Sequence, residues 1–227
     1  MTNTKMDKLA QNLAKAFVKN KIIAPIPLKY TKKMRDAESF RRLCESKINL
    51  PIIGFKAGGT SIPMLKKWGE KKPFYAAVYK KNLLQSNKKV KINPYTLGAE
   101  LEVSYFIKKS FFDSKGVITL NNIHKYISHR LPSIEIVGYR QRKKGLKYLG
   151  DICGDFGGNI KFLIGKKIKH TKTNSNNLKT NLSNKKNKQS VDGNTNTVYV
   201  NPLNSLKLVL NFIKRDKIKL NNDFYVF

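Results

Sequence analysis

The chain has 227 residues, 40% of them apolar and 10% aromatic, which suits one domain with a buried core and excludes an acidic, disordered solvating protein. Its 46 Lys and Arg against 14 Asp and Glu give a formal charge of +32, so a nucleic acid or another anionic surface is the first partner to test. No run approaches the ~20 apolar residues of a membrane-spanning helix. The N-terminus carries an Asp and no apolar signal core, and Cys44 and Cys153 stand far apart without metal-type spacing, so a reduced cytoplasmic protein is expected.

Met6, Leu9, Ala10, Leu13 and Phe17 recur at helical spacing behind Asn3 or Thr4 as a cap. Pro25 and Pro27 force an extended stretch, and a second helix is expected over about 32–46, burying Met34, Phe40, Leu43 and Cys44. Residues 51–56 read as a short buried strand broken by Gly58 and Gly59, before a short helix around Met64 that Gly69 ends. From Ala99 to Ile107 the apolar residues alternate with period two, which predicts a strand. A helix over 120–129, strands over 133–137 and 159–164, a late helix from Pro202 to about Lys214 and a last strand at 223–227 complete the prediction. Between about 166 and 196 Lys, Asn, Ser and Thr dominate, which reads as a long loop or a degraded strand pair. Helices flanking a mostly antiparallel sheet make a single α+β domain over 1–227.

The acids carry the chemistry. Of six glutamates, Glu38, Glu45 and Glu70 fall in polar, lysine-rich or helical surroundings, whereas Glu100, Glu102 and Glu135 sit in the most apolar strands. Period two places Glu100 and Glu102 on one face of a strand, and Glu135 is flanked by Ile134 and Ile136. Such a trio has two readings. Either that strand face is wet, or the carboxylates hold a divalent cation, and oxygen-only ligands then favour Mg²⁺ or Mn²⁺ over zinc. Lys56 ends a strand within a glycine-containing stretch that lacks the spacing of a phosphate-binding loop. His124, His129 and His170 show no ligand spacing and read as core or surface residues. The basic residues are spread along the chain and no nucleic-acid-binding module signature appears.

In order, Gly54-Phe-Lys-Ala-Gly-Gly-Thr-Ser61, Glu100-Leu-Glu102, Pro132-Ser-Ile-Glu-Ile-Val137 and Asn201-Pro-Leu-Asn-Ser-Leu206 resemble the motifs of the 2-keto-4-pentenoate hydratase family, within the fumarylacetoacetate hydrolase superfamily. Arg35-Asp-Ala-Glu38, Trp68-Gly69 and Asp151-Ile-Cys-Gly-Asp155 fall in the expected order between them. The resemblance implies a mixed β-sandwich roll with flanking N-terminal and late helices, one active site per subunit and a homo-oligomer. It implies that Glu100, Glu102 and Glu135 bind Mg²⁺ or Mn²⁺, that Lys56 lies beside the substrate as a carboxylate anchor or proton shuttle, and that Thr60 and Ser61 contact the substrate. The implied activity is that of a lyase adding water to a small 2-hydroxy or 2-oxo dienoic acid, such as 2-hydroxypenta-2,4-dienoate, in aromatic catabolism. The implied partners include neither a specific nucleic acid nor a membrane.

The departures are as specific. Lys80 stands near a family aspartate, Asp155-Phe-Gly-Gly158 replaces an Asp-Asn-Ala-Ser element, Gly138 replaces an aspartate, and the family's Leu-Thr-Gly-containing strand would follow Phe227. Metal ligation thus reads as intact, and the acid–base and substrate-binding parts as eroded. Four rivals follow: a 2-oxo acid decarboxylase of the same superfamily, an acylpyruvate hydrolase that would want a His–Glu pair, a non-catalytic remnant or subunit on the same fold, and a basic nucleic-acid binder. Against the resemblance, the +32 charge reads as drift toward Lys and Asn on surfaces.

Overall fold

The computed structural model describes residues 4–141, 145–172, 175–184, 188–199 and 201–227. Its centre is a pair of long antiparallel strands, β4 (Thr96–Ile107) and β5 (Ile127–Gly138), in continuous register from Gly98 to Phe106 and with a register shift at each end. Around them lie β1 (Ile52–Gly58), β2 (Phe74–Tyr79), β3 (Leu83–Gln85), β6 (Asn159–Ile164) and β10 (Phe224–Val226), in the order β2-β1-β10-β4-β5-β6-β3. The β1–β10 and β3–β6 pairs are parallel and the others antiparallel.

That order forces a roll. β2 and β3 occupy opposite edges, yet only Lys80–Asn82 separates them in sequence. Three residues reach about 10 Å, so the sheet curls until its edges meet, giving the curled mixed sheet with flanking helices that the sequence predicts. The seam is closed by polar groups. Asn82 Nδ2 donates to Asn159 Oδ1 at 3.1 Å, and Lys161 Nζ to the Lys81 carbonyl at 2.6 Å.

The outer face of the roll carries the main core. Three helices cover it: α1 (Thr4–Lys19), α2 (Met34–Glu45) and α5 (Pro202–Arg215). Each is amphipathic with a three-to-four-residue repeat, burying Ala10, Leu13 and Phe17, then Ala37, Phe40 and Cys44, then Leu206, Val209, Leu210 and Ile213. They pack on Phe55, Tyr75, Tyr105, Ile107 and Phe224 of the sheet. Asn201 caps α5, its side chain accepting from Asn204 N at 2.8 Å, and Pro202 opens the first turn. Glu45 ties α2 to the edge strand, accepting Ala77 N at 2.9 Å and Arg41 Nη1 at 2.6 Å. Asn3, one of the two caps expected for α1, lies outside the described residues.

One expectation changes, and one open alternative is resolved. The helix expected over 120–129 is a single 3-10 turn at Ile123–Lys125, and β5 begins at Ile127. There Ile127, His129 and Arg130 pair with Ile107, Phe106 and Tyr105 of β4, so cross-strand pairing overrides the local helical pattern. Residues 166–196, read as a loop or degraded strand pair, hold β7 (Ile168–Lys169) against β5 and a hairpin of β8 (Lys179–Asn184) and β9 (Gln189–Asn194), in register from Lys179–Asn194 to Asn184–Gln189. Strand β2 and the helices α3 (Ile62–Lys67) and α4 (Leu149–Gly154) complete the fold. Among the described residues no helix is long and apolar enough to cross a membrane.

Candidate metal centre

The inner face of the roll brings together residues that lie far apart in sequence. Glu100 and Glu102 share one face of β4, and Glu135 of β5 stands in register opposite Glu100. Like charges directly opposed weaken a ladder; here one carboxylate oxygen from each of the three lies within 4.8 Å of the other two. Lys56 enters from β1. Its Nζ is 2.7 and 2.6 Å from the two oxygens of Glu135 and donates to the Gly157 carbonyl at 3.1 Å. Both side chains of this pair are buried.

The corner after α4 makes room for the lysine. Phe156, Gly157 and Gly158 adopt φ of 53°, 70° and 75°, a left-handed turn that directs the Gly157 carbonyl at Nζ. A Cβ on Gly157 would lie 2.9 Å from Ala76 Cβ and 3.3 Å from Lys56 Cδ. Lys56 and Ala76 thus leave Gly157 no room for a side chain.

The trio runs from exposed Glu100 through half-buried Glu102 to fully buried Glu135, and one ammonium faces three carboxyl groups. Burial holds the Glu102 carboxyl well above the usual carboxylate range, with Glu135 and Glu100 adding to the rise and Lys56 opposing it. Glu135 is pushed up to about 7, again by burial first, with Lys56 pulling down and Glu100 pushing up. Burial works against the Lys56 charge, but Glu135, Glu100 and Glu102 outweigh it, so the ammonium is held above its ordinary value and stays charged. Glu102 Oε2 is buried without a hydrogen-bond partner. A divalent cation answers both the surplus charge and the orphaned oxygen, and an all-carboxylate donor set suits Mg²⁺ or Mn²⁺.

Glu100 and Glu102 open onto a cavity of about 210 Å³, the space of roughly seven liquid waters. β4 pairs with β10 only over Tyr105–Ile107, so its upstream edge borders the cavity. Thr60, Val103, Leu206 and Phe227 form other parts of the wall, and Thr180 and Thr195 reach it from the hairpin segment. Of the expected substrate contacts, Thr60 lies on this wall. Ser61 instead caps α3, accepting from Met64 N at 3.5 Å, and bridges to Val198. Lys56 stands behind Glu135 rather than on the described wall. The hairpin's contribution escapes sequence reading because its strands bury almost nothing and carry no apolar alternation.

No protein-family model and no curated protein matches the chain. Solved structures do. 4-oxalocrotonate decarboxylase from Pseudomonas putida G7, complexed with calcium and acetate, matches with a TM-score of 0.79 at 16% identity, over 100% of this chain and 87% of that one. Its complex with magnesium and adipate gives 0.75 at 16% identity and the same coverage. Fumarylpyruvate hydrolase from Pseudomonas aeruginosa, with Mn²⁺ and pyruvate, gives 0.51 at 11% identity over 78% of this chain and 77% of that one. These structures belong to the fumarylacetoacetate hydrolase superfamily, and the likeness defines the fold.

A second cluster lies elsewhere. All three histidines line one surface groove with Lys108, Lys169 and Lys172. The rings of His124 and His170 meet edge to edge, Nδ1 to Nε2 at 2.9 Å. Burial lowers His170 to about 4, helped by the positive charges of His124, Arg130 and Lys108. A proton then binds the unfolded chain more readily than the folded one between about pH 4 and the ordinary histidine value of about 6.5. His170's contribution to stability is therefore complete above that window and is lost as the pH falls through it. An NMR titration of the imidazole carbons is expected to place His170 near pH 4; a midpoint near 6.5 would contradict the contact.

Proposed function

We propose that the chain is a divalent-metal-dependent lyase that adds water to a small 2-hydroxy or 2-oxo dienoic acid, such as 2-hydroxypenta-2,4-dienoate. The observation that carries this is the trio Glu100, Glu102 and Glu135, of which Glu100 and Glu102 open onto a small cavity while Glu135 is buried against Lys56. In support, solved structures of the same fold hold calcium, magnesium or manganese together with small acids. Glu100, Glu102 and Glu135 would hold Mg²⁺ or Mn²⁺. When bound, the ion supplies a Lewis acid that stabilises charge developing on a 2-oxo oxygen as the substrate enolises.

The chain's own residues set the rest. Lys56 fixes both oxygens of Glu135 and, being held charged, acts as a positioning cation rather than a base. The Thr60 and Thr195 side chains line the wall where a substrate tail would lie. The same reading carries a homo-oligomer, a cytoplasmic location and a single domain over 1–227. A 2-oxo acid decarboxylase is the second reading, favoured by the full-length match to 4-oxalocrotonate decarboxylase.

The test is Mn²⁺ binding followed by electron paramagnetic resonance, then loss of dienoate absorbance with Mg²⁺ or Mn²⁺. Turnover in the native chain, absent in Glu102→Gln, supports the hydratase. CO₂ release from 4-oxalocrotonate without hydration supports the decarboxylase. Metal binding with neither reaction marks a non-catalytic remnant, and no metal binding overturns the enzyme.

A further inference from the structure

All three histidines of the chain share one groove, and it lies away from the glutamates. Lys108 follows the end of β4 six residues after Glu102, about 20 Å at the rise of an extended strand. Three segments build the groove: the turn with His124, β5 with His129, and the stretch after β7 with His170. β7 places Lys169 opposite His129, and the His170 N–H donates to the Ser128 carbonyl at 2.9 Å, which sets His170 against His124. Ser128 Oγ donates to the Phe106 carbonyl at 2.9 Å and lies 3.2 Å from His129 Nδ1, so that ring is steadied too. Lys108, Lys169 and Lys172 supply three ammonium groups, and among the described residues no Asp or Glu lines the groove. We infer that it binds a phosphate group, free or at the end of a small phosphorylated molecule.

Charge selects an anion. Paired imidazoles can hold a transition metal, but among the described residues no third His, Cys, Asp or Glu converges with His124 and His170, and three lysines repel a cation. Near neutral pH a phosphate group carries almost two negative charges and three acceptor oxygens. It can therefore meet donors from several segments at once, where a planar carboxylate offers two oxygens and one charge. Histidine adds what the lysines spread over the rest of the surface lack, a proton taken up with the ligand. Burial and the positive charges of His124, Arg130 and Lys108 hold His170 down to about 4, and Lys169 and Lys172 lie beside it on its own segment. A bound dianion reverses that field, so the ring gains a proton as the anion enters. The groove has a space of about 500 Å³, more than one phosphate fills, which leaves room for a carbon skeleton.

The experiment uses the full chain with chelator present, so that no metal-bound glutamate site competes for the anion. Inorganic phosphate and ribose 5-phosphate are titrated at constant ionic strength, and NMR follows the imidazole carbons. Saturable shifts of all three histidine rings are expected, with the His170 midpoint raised by at least about one pH unit. Lys169→Ala and His124→Gln, two independent variants, are each expected to weaken binding about tenfold. Lys8→Ala, at an exposed position of α1 outside the groove, is expected to leave it unchanged. Tighter binding of ribose 5-phosphate assigns the rest of the groove to a carbon skeleton, and equal affinities assign the site to phosphate itself; either supports the proposal. Shifts that never saturate, or an affinity that neither groove variant weakens, reduce it to a general ion atmosphere and overturn it. A single-stranded oligonucleotide that moves these rings where neither phosphate nor ribose 5-phosphate does overturns it in favour of nucleic acid.

Discussion

Glu102→Gln is expected to make the metal-free protein more stable and the metal-loaded protein less so. In the native chain the Glu102 carboxyl stands close to Glu135 and Glu100, costly to ionise in the folded state and with one oxygen buried and unpartnered. The neutral amide removes that cost and can donate to either neighbour. A gain of about 1–3 kcal/mol follows for the metal-free form, the range for relieving a buried unsatisfied charge. The same change deletes one of three carboxylate ligands, and Mn²⁺ affinity is expected to fall by at least about 100-fold. Saturating metal stabilises the native fold by mass action, about 2.7 kcal/mol at a hundredfold excess over Kd, and the variant forgoes this. Urea unfolding with chelator and with excess Mg²⁺ should therefore show the two proteins exchanging rank. A variant less stable than the native chain under both conditions would mean that the three carboxylates do not strain the metal-free fold.

This trade of stability for charge explains why the site was legible in the sequence at all. An acid inside an apolar alternating strand breaks the local rule for that strand, and such violations mark function. Glu100, Glu102 and Glu135 stood out because 46 basic residues left few acids to compete for attention. The amphipathic helices and β4 were legible for the complementary reason: their periodicity is set by one buried face.

What stayed hidden depends on pairing at long range. β2 is buried at all six positions and so shows no alternation. β5 starts six residues earlier than its apolar core because β4 is there to receive it. The hairpin is held by its own ladder and by contacts such as Thr195 Oγ1 donating to the Ser175 carbonyl, none of which has a compositional signature. Lys56 could be singled out by its motif, but that it serves Glu135 from behind follows only from the roll, which sets β1 opposite β5 across the interior.

Arg140→Met is expected to cost about 3–5 kcal/mol, the range for breaking a buried ion pair from one side. Arg140 follows the end of β5 and is nearly inaccessible. Its Nη1 is 2.9 Å from Asp155 Oδ1, its Nη2 donates to the Asn159 carbonyl at 2.9 Å, and its guanidinium lies 4.7 Å from the Phe17 ring centre. Asp155 also accepts the Arg140 backbone N–H at 2.5 Å. This knot joins β5, α1 and the corner whose Gly157 carbonyl supports Lys56. Burial already raises the Asp155 carboxyl above its ordinary value against the pull of Arg140. Without that partner the folded-state value rises further, so over the interval between the two states' values the folded variant binds more protons than the unfolded chain. Stability of the variant then falls as pH rises through that interval. Its deficit should be larger at pH 8 than at pH 5, which urea midpoints at the two values will read. Arg140→Met with Asp155→Asn keeps an acceptor for the backbone N–H while removing the stranded charge, and is expected to recover most of the loss and to flatten the pH dependence. If the double variant is no more stable than Arg140→Met at pH 8, the cost lies in lost packing against Phe17 and not in the buried charge.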